Sequence, residues 1–303
     1  MASGEPIRAL SGCARAALCL GMLASAGPVT AGPITFNTAL PVARDTYTAR
    51  IQGIHRDRAD AGADGREVTI DGGVAALGYG FTADWTGIAL APYLDKTLTV
   101  DTSGGTVRRQ ASGLGDLTLL ARYTAFERNA PGALLRIAPV AGGIAPTGAS
   151  DERDALGTVP RPLQPGTGVW GGVAGVILTR QTLDWEFDAA LMATFHGRDD
   201  GFEPGDEVEL DASYQYRMPW PAPGAGAFSY AVLEAKGIHR EDDMIEGSRV
   251  ENGGTEWRIV PGLQYVTRRW VVEAAVELPL ADDLPGSALR EQRFVHLGVR
   301  FNF

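Results

Sequence analysis

The sequence predicts an all-β fold: a transmembrane antiparallel β-barrel of about 12 strands with a C-terminal Phe. Three observations predict it. From Val295 to the end, Val295, Leu297, Val299, Phe301 and Phe303 share one face, and His296, Gly298, Arg300 and Asn302 share the other. A strand lying between lipid and water needs that period of two. At the other end, Met1 to Ala31 reads as a secretory leader. Arg8 and Arg15 supply charge, Ala16 to Ala26 form a short apolar core, and Val29-Thr30-Ala31 is a small-residue cleavage site. Between the two ends, segments of about 10 to 15 residues alternate in character and are separated by turn-formers.

The expected organisation is therefore a signal peptide over 1–31, a short periplasmic N-terminal segment over 32–41, and a barrel over 42–303. Leu10-Ser11-Gly12-Cys13 spells a lipoprotein box, but the apolar core follows Cys13 rather than preceding it. The leader's apolar run is too short for a membrane anchor. Both cysteines, Cys13 and Cys19, lie in the leader, so the processed chain has no thiol, disulfide or cysteine-held metal. Mean hydropathy is −0.05 and hydrophobic residues make up 45%. No run approaches the ~20 apolar residues of a membrane helix, as expected when half of each strand faces water. The net charge of −10 argues against a nucleic-acid partner, whose phosphates require a basic surface.

The elements follow in order. The first strand runs from Val42 to His55, with Tyr47, Ala49 and Ile51 outward and Thr46, Thr48, Arg50 and Gln52 inward. After a polar loop over 56–66, the second covers Glu67 to Gly80. A tight turn at Thr82-Ala83-Asp84 leads to the third, Trp85 to Leu98. A Gly/Ser/Arg-rich loop precedes the fourth, Leu114 to Phe126, and the turn Glu127 to Gly132 precedes the fifth, Ala133 to Ala145. The longest irregular stretch is Pro146 to Gly166, a candidate inward-folding gate. The sixth strand is Thr167 to Arg180 and the seventh Thr182 to Phe195. In the seventh, Trp185, Phe187, Ala189, Leu191 and Phe195 oppose Asp184, Glu186 and Asp188. The eighth sets Val208, Leu210, Tyr214 and Tyr216 against Glu207, Glu209, Asp211 and Arg217. Ala227 to His239, Thr255 to Tyr265, Trp270 to Pro279 and Arg293 to Phe303 complete the set.

Twelve is even, as a single-chain barrel with both termini on the periplasmic side requires. Connections after the even strands are short and those on the other side mostly longer and more charged, the loop asymmetry of an outer-membrane barrel. Trp85, Tyr123, Trp220, Tyr265 and Trp270 fall near the short turns, where an interfacial girdle belongs. Pro139, Pro261 and Pro279 fall in or at the end of strands and argue the other way, since each forfeits a ladder bond.

Gly113-Leu114-Gly115-Asp116-Leu117, with Ala121-Arg122-Tyr123 behind it, resembles the signature of an outer-membrane family named for the meta-pathway of phenol degradation. Ala145-Pro146-Thr147-Gly148 resembles that family's strand exit, and Leu163-Gln164-Pro165-Gly166-Thr167-Gly168 the motif that closes its long loop. Ala145 replaces a longer residue and Val169 a frequent Ser. The resemblance spans Leu77 to Phe303. It implies a small barrel that moves small, often aromatic, molecules across the outer membrane, and it brings no catalytic residue. By themselves these patches read as architecture. The glycines allow tight backbone turns and Asp116 can bond local amides.

Enzyme signatures are missing: no nucleophile elbow, zinc-protease helix, P-loop or dinucleotide fingerprint occurs. No catalytic, cofactor or metal residue is assigned. His55, His196 and His239 fall at the loop ends of strands, where histidines are solvated. The informative constellation is the predicted lumen. Its lining candidates are Asp184, Glu186, Asp188, Glu207, Glu209, Asp211, Arg217, Glu234, Lys236, Glu256, Arg258 and Arg300, with Glu273, Glu277, Arg50, Arg122 and Arg136 also inward. These charges either pair into a network that plugs a narrow barrel or line a hydrated, cation-preferring passage. The expected function is a passive outer-membrane channel for small solutes, aromatic or cationic ones among them. A plugged structural or surface-interaction barrel is the alternative, and a lipid hydrolase a remote one. The expected partners are outer-membrane lipid and lipopolysaccharide, the barrel-assembly machinery acting on Phe303, and a small solute.

Overall fold

A computed structural model describes residues 31–60, 65–221, 226–286 and 288–303, so the expected signal peptide lies, but for Ala31, outside the described residues. Twelve strands form the wall. They are β1 (Tyr47–Asp60), β2 (Arg66–Gly80), β3 (Trp85–Thr102), and a broken β4 in three pieces, Gly105–Leu114, Leu117–Tyr123 and Phe126–Ala130. β5 (Ala133–Ala145), β6 (Gly171–Thr182), β7 (Trp185–His196) and β8 (Glu207–Arg217) follow. β9 (Ala227–Arg240), β10 (Gly254–Thr267), β11 (Trp270–Asp283) and β12 (Leu289–Asn302) complete it. Neighbours in sequence pair antiparallel, and β12 returns to β1 from Thr48↔Asn302 to Asp60↔Leu289, closing the cylinder.

Alternation decides which way each side chain points. In β7, Glu186, Asp188 and Ala190 are buried, whereas Phe187, Leu191 and Phe195 are exposed. Polar inside and apolar outside inverts the pattern of a soluble sheet and suits a lipid-facing wall. Aromatic residues gather at the end with the short turns. Trp85 and Tyr123 lie 4.9 Å apart, Tyr265 and Trp270 5.7 Å, and Trp220 and Tyr265 6.1 Å. Phe303 ends the chain in the same belt, exchanging backbone hydrogen bonds with Tyr47.

Two expectations change, and the prolines stand in strands as expected. Residues 99–113, read as loop, are strand: β3 and the first piece of β4 continue as a ribbon to Thr102↔Gly105. Polar residues on both faces hid it, because a ribbon clear of lipid needs no apolar face. Residues 32–41, read as a periplasmic segment, run inside the barrel, where Ile34 and Ala39 are fully buried. The prolines, finally, sit within the strands. Pro139 pairs with Val176 and Pro261 with Leu233. Their cost shows in β10–β11, where the ladder skips from Ile259↔Leu278 to Gly262↔Ala275 and shifts register beside Pro279. A missing ladder bond costs about 1 kcal/mol, and opposite Pro139 the β4 pairing is likewise interrupted between Arg122↔Val140 and Phe126↔Ile137.

Candidate functional site

The lumen holds three layers. At the short-turn end, residues 31–43 lie across it without joining the sheet. Glu234 accepts the Ile34 amide at 2.6 Å, the Thr35 amide at 3.2 Å and the Thr35 hydroxyl at 2.5 Å. Arg50 and Gln52 donate to the Ile34 carbonyl, Gln52 at 3.0 Å. The Ala39 amide donates to Thr179 Oγ1 at 2.7 Å and the Val42 amide to Thr86 Oγ1 at 3.1 Å. Arg122 donates to the carbonyls of Thr38, at 2.5 Å, and Leu40. Backbone groups that an extended chain must satisfy are thus met by side chains of the wall. Apolar contacts finish the seat. Ile34 packs on Val232, Val260 and Ala275, and Ala39 on Ala138, Val140, Ile177 and Ala190. A cavity of about 320 Å³ remains beneath, lined by Phe36, Tyr47, Arg122, Asn302 and Phe303 among others.

The middle layer is a network of charges. Lys236 bridges Glu209 and, at 3.0 Å, Asp211. Arg240 meets Glu207 at 2.5 Å and Arg50 meets Glu273 at 2.5 Å. Arg258 reaches Glu256 at 2.6 Å, Glu277 at 2.9 Å and Glu291 at 3.3 Å, while Arg56 holds Glu291 at 2.7 Å. His296 closes the cluster on Glu277 at 2.8 Å. Buried charges persist only when paired. Some oxygens on the acidic wall nevertheless have no hydrogen-bond partner among the described residues: Glu186 Oε1, Asp188 Oδ2, Asp211 Oδ2 and Gln215 Oε1.

The third layer is the long segment 146–170. The three sequence motifs meet at its root. Asp116 accepts the Gly148 amide at 3.0 Å, the Thr167 amide at 2.7 Å and the Thr167 hydroxyl at 2.6 Å, and Thr147 Oγ1 accepts the Leu117 amide at 3.0 Å. The backbones touch there: a Cβ on Gly148 would lie 2.6 Å from the Gly115 carbonyl carbon. Asp116 therefore bonds amides 32 and 51 residues away rather than local ones. From this root the segment folds inward, and Val159 and Leu163 pack on Val68 and Ala111. Lys96 donates to the Gln164 carbonyl at 2.7 Å, and Arg109 clips Asp154 at 2.5 Å. The lid leans on β2 to β4. Over β8 to β10 the mouth keeps a cavity of about 970 Å³, lined by Asp206, His239 and Arg240 among others.

The structure places the lining candidates as follows. Glu186, Asp188, Asp211, Glu234, Lys236, Glu256 and Arg258 are buried within the barrel, Glu207 and Glu209 are half-buried on the same face of β8, and Arg300 is inward on β12. Asp184 departs from expectation: it is exposed in the turn between β6 and β7, where its carbonyl accepts the Arg217 amide. The alternation ran one step past the strand. Arg217 sits at the short-turn end, its guanidinium 4.0 Å from the centre of the Phe228 ring. Sequence reasoning missed Arg56, Arg58 and Glu291, and it put His296 on the polar face with Arg300 without naming its partner, Glu277. Arg56 and Arg58 continue the i, i+2 spacing of Arg50 and Gln52, a signal cut off by ending the first strand at His55.

Comparisons with known proteins agree with this geometry. A family model described as "Putative MetA-pathway of phenol degradation" matches residues 44–279. An outer-membrane channel from Pseudomonas putida F1 is similar in fold, with a TM-score of 0.67 at 18% identity, covering 91% of this chain and 100% of that one. The β-domain of the Bordetella autotransporter BrkA reaches a TM-score of 0.51 at 14% identity, covering 86% of this chain and 100% of that one. No curated protein matches the sequence.

Proposed function

Because the chain belongs to the family described as a "Putative MetA-pathway of phenol degradation", we propose that it is a gated, passive channel for small polar or charged solutes in the outer membrane, with its short turns in the periplasm. The observation that carries this reading is that residues 31–43 lie in the lumen without joining the sheet. The wall closes without them, and they are held by side-chain hydrogen bonds that water can replace. Glu207, Glu209 and Asp211 descend from the mouth in steps of roughly 7 Å along β8, and Lys236, which pairs with the lower two, lies 3.4 Å from Thr35 Oγ1 of the plug. A charged solute entering at the mouth meets that ladder before it meets the plug. Inward carboxylates on β7 to β9 outnumber the cations Arg217, Lys236 and Arg240 there, so that side of the lumen is net acidic. The family's name is no evidence that phenol is the solute.

The test is planar-bilayer recording of the chain from Gly32 to Phe303 beside a variant lacking 32–41, under a salt gradient. Rare, brief steps in the full chain and sustained conductance in the variant are expected, with a reversal potential that moves when Glu207, Glu209 and Asp211 are neutralised. A variant barrel that folds, resists detergent and stays silent overturns the channel reading in favour of a structural role.

A further inference from the structure

Gly32 lies inside the wall beside Glu186, whose Oε2 accepts from Gln181 and whose Oε1 accepts no hydrogen bond among the described residues, with the Arg300 guanidinium as the nearby cation. The Gly32 α-nitrogen donates to Gln264 Oε1 at 3.3 Å, and Gln264 Nε2 donates to the Gly32 carbonyl at 2.7 Å and to Glu273 Oε2 at 2.9 Å. A substituent on the Gly32 α-carbon would lie 3.8 Å from Glu186 Oε1 and 3.6 Å from Arg300 Nη1. The α-nitrogen is bonded to that same carbon, so bond geometry puts it within roughly 6 Å of the Glu186 carboxylate. Glu186 is 1% exposed, and its Oε1 has no partner among the described residues. Asp188, two residues along the same face, is fully buried with Oδ2 also unpartnered. Gln264 is 2% exposed and Glu273 2% exposed, so these groups form a built, water-poor pocket rather than a solvated acidic surface.

A buried carboxylate that is not fully bonded calls for a cation or a proton. We propose that maturation supplies the cation: the cut after Ala31 makes the α-ammonium of Gly32, which seats between Gln264, Glu186 and Glu273 and locks residues 32–43 into the lumen. This rests on reading that segment as the plug. Hydrolysis of the Ala31–Gly32 bond consumes one water, leaves a carboxylate on the leader, and leaves an amine on Gly32 that takes up a proton. An α-amine with an ordinary pKa of about 7.7 to 8.0 is mostly charged at neutral pH. Before the cut, the same nitrogen is a neutral amide with one N–H, already spent on Gln264. After it, the nitrogen carries a charge and two more donors, and an opposite charge at this range attracts it. The seat fits Gly32 closely, since a Cβ there would lie 2.8 Å from Thr38 Cγ2. Processing thereby adds a charged anchor to a segment that already sits in the lumen with Ala31 buried beside Gly32.

The processed chain offers a clean readout because Lys96 and Lys236 are its two lysines, which leaves three amines in all. Barrel extracted from outer membranes is treated with an acetylating N-hydroxysuccinimide ester, folded or in urea, and mapped by mass spectrometry. An N-terminal peptide beginning at Gly32, with its α-amine labelled roughly a hundredfold more slowly in the folded barrel than in urea, is expected. Glu186→Gln should raise that rate about tenfold while Lys236 labelling stays fixed. A mature chain that begins upstream, for instance at Gly27, overturns the proposal. So does an α-amine labelled as fast folded as unfolded, or a rate indifferent to Glu186→Gln. A silent 32–41 deletion would sink the channel reading while leaving this seat standing, and fast labelling would do the reverse.

Discussion

Glu234→Gln isolates the plug, because the carboxylate's main partners belong to residues 34 and 35. Glu234 Oε1 accepts the Ile34 amide at 2.6 Å and Ser213 Oγ at 3.2 Å; Oε2 accepts the Thr35 amide at 3.2 Å and the Thr35 hydroxyl at 2.5 Å. In the amide one of those oxygens becomes a donor. The Thr35 N–H then faces N–H, and the Ile34 bond falls from a charged acceptor to a neutral one. Bonds to a charged group contribute about 1.5–3 kcal/mol and neutral ones about 0.5–1.5. Losing one charged bond and halving another costs about 3 kcal/mol, roughly a hundredfold in the ratio of seated to unseated plug. Planar-bilayer recording reads this as open fraction. Glu277→Gln is the matched control, since it removes the same charge but touches Arg258 and His296 rather than the plug. Glu234→Gln should raise the open fraction about a hundredfold and Glu277→Gln should not. Equal effects from the two, or none from the first in a folded barrel, would refute the assignment of Glu234 as the latch.

At the other end, Asp116→Ala removes three bonds at the root of the lid. Discounted for partial solvation, the loss is about 3 kcal/mol, so hydrogen exchange over residues 148–167 should quicken roughly a hundredfold while the β6–β7 ladder stays protected. Unchanged exchange would mean the glycine contacts alone hold the lid. In the loop between β9 and β10, the Gly253 amide, and then Arg249, hold the Asp242 carboxyl below its ordinary value. A lowered folded value gives stability that is present above the unfolded pKa of about 3.9 and lost as pH falls through the folded one. The Asn252 and Gly253 amides, both bonded to Asp242, should therefore keep their protection at neutral pH and lose it only in acid below that range, after correction for intrinsic rates. Loss near neutrality would disprove the link.

The wall was legible because one rule governs it. Along β7 and β8 every second residue must face lipid, so Phe187 and Leu210 announce the inward Glu186 and Glu209 without knowledge of any partner. The rule fails where its premise ends. It carried Asp184 inward although the strand had already turned, and it stopped at His55 although Arg56 and Arg58 keep the inward spacing. The plug was illegible for a different reason. Gly32-Pro33-Ile34-Thr35-Phe36 has no period, and what fixes it is Gln264 and Glu234, some two hundred residues away. The motifs lay between these cases. Their glycines and Asp116 were read as backbone chemistry, which is right, but only the fold reveals that the three patches meet at one point.

The two closures differ in kind. The lid is rooted where backbones touch: Gly148 approaches Gly115 and Gly166 so closely that any side chain would force them apart. Its opening must break local covalently tethered packing at Asp116 and also pull Leu163 from Val68 and Ala111. The plug has no such root inside the lumen. Its backbone is satisfied by Glu234, Thr179, Arg122 and Thr86, each of which water can replace at little enthalpic cost once the segment leaves. What resists its departure is the burial of Ile34 and Ala39, two small apolar contacts worth a few kcal/mol, together with the charged hydrogen bonds to Glu234 and, on the proposal above, the charge of its first residue. The segment joins the wall where Arg44 and Asp45 meet Gly80, and the cylinder is complete without residues 31–43. On the proposed reading, control of the passage belongs to the short-turn end, and the lid shapes the mouth.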